Sequence, residues 1–446
     1  MLSFVSSAAR PANFSLEIQA LRAVAVVLVV LFHLWPNRLS GGFIGVDIFF
    51  TISGFLITGH LLREASSERG IRLAGFWARR VRRLLPAAYL VLAVSLVATL
   101  TILPPRLWKE TAVQVGASAS GIQNWVLAAS SVDYFGATGQ PSLVQHYWSL
   151  SLEEQFYLVW PILIFAVFAF TRQLLKRSRL YPVGAAMGVV CVSSLVWSVS
   201  QSYATPTVAY FSTFTHGWEF ALGGLLALCI DALMPTRWGR MERTRALVTW
   251  AGLGAIRFSA FLYTGHSAFP GWIALLPILG TLVVIAAGTS SSRIQGVLLL
   301  RSKPVQLIGD ASYSVYLWHW PMIIVLPFVA GHALGIAPKV AIFVASLLLG
   351  WWTKVSIEDP SRRSKALNFR VWINYAVAVV AATVLVTGAT GVWSTALAQE
   401  TASQLAAREL ISTALDGGNP CFGASAMAPS AQCANSHSVT YDLVRN

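Results

Sequence analysis

The sequence predicts an all-α integral membrane protein, a polytopic bundle of about eleven transmembrane helices. Three observations predict it. Of the 446 residues, 56% are hydrophobic and only 11% are charged, whereas a soluble domain carries about 25% charged residues. A bilayer is therefore the solvent for most of the chain. Apolar stretches repeatedly reach the roughly 20 residues that cross about 30 Å of hydrocarbon. The polar loops between them are short, and lysine and arginine gather in alternate ones.

Taken in order, the apolar runs fall near residues 16–35, 43–62, 84–103, 147–170, 182–199, 213–233, 246–264, 271–290, 304–330, 338–356 and 371–393. With the N-terminus inside, loops 63–83, 171–181, 234–245, 291–303 and 357–370 carry 7, 4, 4, 3 and 4 Lys or Arg, and Arg10 brings the inner total to 23. The outer segments hold Arg38, Arg106, Lys109, Arg408 and Arg445. That asymmetry is the positive-inside pattern, and a miscounted helix would invert every later loop. No small-residue cleavage site follows the N-terminus, so the first helix is expected to be retained. In the long outer loop from Pro104 to His146, the apolar run Val113 to Ala129 is broken by Gln114, Gln123 and Asn124 and reads as interfacial rather than spanning. Beyond residue 393 the chain turns Ala/Ser/Gln-rich and reads as an outer linker.

A formal charge of +14 raises nucleic-acid binding, but the basic residues sit between apolar segments instead of on one soluble face. Cys191 and Cys229 fall in apolar runs, where a thiol packs as a small hydrophobe. Cys421 and Cys433 lie in the outer tail and are expected to pair as a disulfide. His33, His146, His216 and His319 are scattered, His216 and Glu219 are too isolated to define a site, and no metal spacing, Walker loop, dinucleotide fingerprint or nucleophile elbow occurs.

Ionisable groups inside a bilayer are costly and tend to mark function. Arg22 and His33 share the first helix eleven residues apart, a rise of about 16.5 Å and about 20° from three full turns, so both face one way. A cation nearer the inside suits a phosphate-bearing donor, and an imidazole can take a proton from an acceptor hydroxyl; the alternative is a snorkelling anchor and a packing histidine. Asp47 lies among five glycines in GGFIGVDIFFTISGFLITG, positioned either to orient His33 or to pair with Arg22, or else to serve as a structural ion-pair partner. Arg79, Arg80, Arg82 and Arg83 in FWARRVRRLLP exceed what topology needs and suit phosphates or a nucleotide. HYWSLSLEEQFYLVWP places Trp148 at an aromatic rim and Glu153 and Glu154 about 100° apart, so that one lines a cavity and the other finds a separate partner. Glu219 is expected to pair with Arg257, and Asp310 and His319 face opposite sides of one helix, one of them structural.

These segments, with FALGGLLAL, WIALLPILGT, GDASYSVYLWHWP and the Glu358, Pro360, Arg362 run EDPSR, resemble the membrane acyltransferases of family 3, which O-acylate bacterial envelope molecules. The resemblance covers most of residues 16–363. It implies that Arg22 and His33 are essential, that acyl-CoA is the cytoplasmic donor co-substrate with no resident cofactor or metal, and that an envelope glycan or glycolipid is the acceptor. It carries the basic motif to Arg79, Arg80, Arg82 and Arg83 and the acidic motif to Glu153 and Glu154, with His33, Glu153 and Asp47 catalytic and Trp148 and His319 on the substrate side. Glu219, Asp310, Glu358 and Arg362 are supporting. One departure is THGWEF, where relatives usually place an arginine at His216. The implied organisation is a cytoplasmic N-terminus (1–15), a ten-helix acyltransferase domain in the bacterial plasma membrane (16–363), a basic linker with the eleventh helix (364–393), and an outer linker (394–446) resembling the start of an SGNH-type domain. A transporter or flippase of an acylated glycolipid is the rival, and the lack of an internal repeat counts against it.

Overall fold

Helices occupy all eleven stretches in which the apolar runs predict them. The computed structural model describes residues 14–68, 70–130, 141–174, 180–233, 241–265, 267–288, 300–364 and 370–416. Among these the regular elements are all helical. They are α1 (Phe14–Leu34), α2 (Gly45–Ala65), α3 (Leu73–Thr101), α4 (Trp108–Ala119), α5 (Gln123–Ser130), α6 (Tyr147–Leu174), α7 (Leu180–Ala204), α8 (Pro206–Phe211), α9 (Thr213–Leu233), α10 (Glu242–Leu262), α11 (Leu275–Ala287), α12 (Lys303–Ala330), α13 (Ile336–Thr353), α14 (Asp359–Arg363) and α15 (Val371–Asp416). Eight of them, α1, α2, α3, α6, α7, α12, α13 and α15, are long and apolar enough to cross a membrane, and α11 is a shorter apolar helix. The chain is thus an all-α, multi-pass membrane protein. Cys191 and Cys229 are free thiols, while Cys421 and Cys433 lie outside the described residues.

The spans differ in how far the protein encloses them. α2 is the most enclosed, with 78% of its apolar window buried, and α15 the least at 17%, so α2 is the axis of the bundle and α15 a peripheral helix. Close approach explains the glycines of α2. A Cβ added to Gly54 would collide with the Phe220 backbone of α9, and one on Gly223 with the Thr51 carbonyl of α2. Without a hydrophobic force between helices in lipid, such backbone proximity is what binds them.

Three expectations about loops change. FWARRVRRLLP is not a loop: α3 starts at Leu73, soon after Gly70 turns the chain with φ 62°, because arginine, alanine and leucine are strong helix formers. Residues 104–130 of the expected long outer loop are helical for most of their length, as α4 and α5. Gln114, Gln123 and Asn124 are buried, Gln123 Nε2 donating to Gln114 Oε1 at 2.7 Å and Asn124 Nδ2 to the Phe211 carbonyl at 3.1 Å. Finally, α15 runs on to Asp416, well past the apolar limit at 393, since its Ala, Gln, Glu and Leu residues keep helix propensity after losing hydrophobicity.

Candidate active site

α1 organises the site as its periodicity predicts. Arg22 lines one cavity, of about 80 Å³, and His33 lines another, of about 90 Å³. Val46 of α2 and Tyr316 of α12 form walls of both. The two cavities are therefore neighbours along one face of α1, separated by an aliphatic side chain and a phenol.

The basic cavity takes Arg22 from α1, Arg80 and Arg83 from α3, Ser53 from α2, and Glu153 and Tyr157 from α6. Arg80 and Arg83 are three residues apart on a helix and share a face; Arg79 and Arg82 fall outside the lining. Arg79 turns instead to Glu64 at 2.5 Å and His60 at 2.9 Å. The Arg80 guanidinium stands 5.4 Å from the ring centres of both Phe76 and Tyr157, a cation–π arrangement that fixes a charge in an apolar wall. Ser53 and Tyr157 hydroxyls both donate to Glu153 Oε1. Glu154 points away, its carboxylate beside Gly121, so the two adjacent acids do separate, and Glu153 is the one that lines a cavity.

At the other cavity, His33 meets His319. Nδ1 of His33 lies 3.0 Å from Nε2 of His319, with the rings stacked at a 20° angle. Nδ1 of His319 lies 2.5 Å from the Tyr316 carbonyl. A carbonyl only accepts, so neutral His319 carries its proton on Nδ1 and its lone pair on Nε2. His33 Nδ1 must then be the N–H that donates to it. The lone pair of neutral His33 is left on Nε2. Trp320 stands edge-on 4.6 Å from the His33 ring, and His146, with Trp148, completes the wall.

Other expected partnerships rearrange. Asp47 joins neither His33 nor Arg22; it lies with His216 and Glu219, at 3.9 Å from His216 Nδ1. Glu219 does not pair with Arg257, because Glu219 is fully buried whereas Arg257 faces outward over the Phe261 ring. His216 and Glu219 are accordingly not isolated: α2 supplies the third member that the linear sequence hides. Asp310 is the structural partner on α12, pairing with Lys354 at 2.6 Å, while His319 reaches the site. A π-helical turn, Lys354–Glu358, sends Lys354 to Asp310 and Asp359 and Glu358 to the Ser314 hydroxyl. Arg362 is exposed and pairs with Asp359 at 3.6 Å. Sequence reading missed Ser53, Tyr157, His146, Tyr316 and Trp320. Of these, Tyr157 is four residues from Glu153, and Tyr316 and Trp320 flank His319 within one turn, so helical spacing from a chosen acid or histidine would have found them.

This helical bundle with a basic cavity and a histidine cavity on one face of its first helix belongs to a defined class. The acyltransferase domain profile of acyltransferase family 3 matches residues 15–355, and the chain belongs to that family. It is 30% identical over 364 residues to the peptidoglycan O-acetyltransferase OatA of Listeria monocytogenes, covering 79% of this chain and 56% of the relative. It is 32% identical over 365 residues to the O-acetyltransferase OatA of Staphylococcus aureus, covering 79% and 58%. To the putative peptidoglycan O-acetyltransferase YrhL of Bacillus subtilis it is 30% identical over 318 residues, covering 69% and 48%. The chain thus spans about half the length of these relatives. No solved structure matches it.

Proposed function

We propose that this protein is an O-acyltransferase that moves a short acyl group, acetyl in the first instance, from cytoplasmic acyl-CoA to a hydroxyl of an extracytoplasmic envelope glycan of the peptidoglycan type. The observation that carries the reading is the pairing of His33 with His319, which leaves the His33 Nε2 lone pair for chemistry while Arg22 on the same helix face lines a basic cavity. The names of the relatives support the acetyl group and the glycan, and the loop charges support an inner N-terminus and eleven crossings.

In this mechanism Arg22, Arg80 and Arg83 hold the phosphates of the donor, and the thioester passes Val46 and Tyr316 toward His33. His33 Nε2 takes the proton of the acceptor hydroxyl as its oxygen attacks the thioester carbonyl. The tetrahedral adduct collapses with loss of the thiolate, which takes the proton back from His33 and leaves as the free thiol. Glu153, oriented by Ser53 and Tyr157, sets the charge balance of the basic cavity. His319 fixes the tautomer and ring plane of His33, a positioning role.

The test is acceptor-dependent release of free thiol from acetyl-CoA by the purified protein. Wild type is expected to release it and transfer label to peptidoglycan fragments, and His33→Ala to do neither. No thioester consumption by wild type with any such acceptor contradicts the proposed chemistry.

A further inference from the structure

Asp47, His216 and Glu219 sit in the first turn of α2 and the first two turns of α9, at the same end of the bundle as Trp148. All three are buried, and one ligand atom from each lies within 4.8 Å of the others. Among the described residues the ion pairs of both acids are with His216 alone. Nε2 of His216 is 3.0 Å from the Tyr210 carbonyl, so in the neutral ring it carries the proton and Nδ1 carries the lone pair. Nδ1 faces Glu219 Oε1 at 2.8 Å. Two acceptors face each other there, and a proton or a cation must stand between them.

A proton there satisfies that contact, and a second one shared between the Asp47 and Glu219 carboxyls, which lie within hydrogen-bonding reach of each other, would be needed to neutralise the acids. Ionised, the two carboxylates leave Asp47 Oδ1 and Glu219 Oε2 fully buried with no donor on either oxygen, and their negative charge beside an imidazole is uncompensated in a low-dielectric interior. A divalent cation answers both deficits, since it neutralises two carboxylates and accepts their orphaned oxygens. Mixed nitrogen and carboxylate ligands select the zinc-like first-row metals over calcium or magnesium. The His216 distances of 2.8 and 3.9 Å bracket the ligand spacing of about 3.4 Å that a tetrahedral ion with bonds near 2.1 Å requires. The Tyr210 carbonyl behind the second ring nitrogen is the outer-shell partner that metal-bound histidines almost always have.

We propose that Asp47, His216 and Glu219 form a site for a zinc-class divalent cation. The ion ties α2 to α9. Trp148, whose ring lies 5.9 Å from the His216 ring and lines the histidine cavity, packs against the site, so the cation fixes that cavity wall without entering the acyl transfer.

The test is metal binding by the full chain in detergent, stripped with chelator and titrated separately with zinc and cobalt(II). Wild type is expected to take up a single ion, to show the visible absorption bands of four- or five-coordinate cobalt, and to melt several degrees higher with zinc. Asp47→Asn and Glu219→Gln are expected to bind roughly a hundredfold more weakly. His216→Arg is the second variant and separates loss of the ion from loss of the fold: its guanidinium supplies the positive charge, so it is expected to fold, to lose the cobalt bands and to melt independently of zinc. Wild type that binds neither ion and whose melting zinc leaves unmoved overturns the proposal, as does His216→Arg with wild-type cobalt bands.

Discussion

His33 of α1 and His319 of α12 are 286 residues apart in sequence and 3.0 Å apart through their ring nitrogens. The Tyr316 carbonyl sets the direction of the chain, from His33 Nδ1–H to His319 Nε2 and from His319 Nδ1–H to the carbonyl.

His319 should therefore matter for turnover more than for donor binding. His319→Ala removes the acceptor that holds His33 in one tautomer, and kcat is expected to fall roughly 100-fold with little change in KM for acyl-CoA. His319→Gln, whose amide oxygen can accept from His33, should recover part of the loss. Steady-state kinetics on both variants checks this; equal kcat in wild type and His319→Ala removes His319 from the account.

The arginine motif should split by helix face. Arg83→Ala withdraws a cavity-lining guanidinium and is expected to raise KM for acyl-CoA about 10-fold or more, the worth of a charged hydrogen bond. Arg79→Ala, whose side chain is taken up by Glu64 and His60, should leave KM within about twofold, as exposed ion pairs contribute little. Identical KM shifts in the two variants would mean that the cavity is not the donor site.

Gly54→Ala tests the α2–α9 contact. The added methyl meets the Phe220 backbone, which cannot rotate away, so overpacking is expected to cost about 1–3 kcal/mol. Thermal melting in detergent should drop by several degrees; an unchanged midpoint would show that the helices can part at that crossing.

The topology has a direct readout. Ser67 lies just after α2 and Ser120 between α4 and α5, both exposed. Cysteine placed at Ser120 should react with an impermeant maleimide on intact cells, and cysteine at Ser67 only after the inner face is opened. The reverse labelling inverts the orientation.

Much of this was readable from one chain because helical periodicity is local. A spacing of eleven positions from Arg22 to His33 fixes a shared face, and adjacency of Glu153 and Glu154 fixes divergent ones, whatever surrounds them. The pairing of faces between helices is not local. Nothing in the periodicity of α2 says that Asp47 meets α9 instead of α1, or that His33 meets α12, because those choices follow from where glycines such as Gly54 and Gly223 let backbones approach. The helical state of the arginine motif and the length of α15 were hidden for another reason. Hydropathy marks where a helix enters lipid, and both helices extend beyond the apolar stretch that announces them.

The most direct test of the central claim is sided transfer in proteoliposomes of one orientation, with labelled acetyl-CoA on the face bearing the Ser67 turn and peptidoglycan fragments on the other. The account predicts label on the fragments across the membrane, lost in His33→Ala. Transfer that persists at wild-type rate in His33→Ala, or that requires donor and acceptor on the same side, contradicts it.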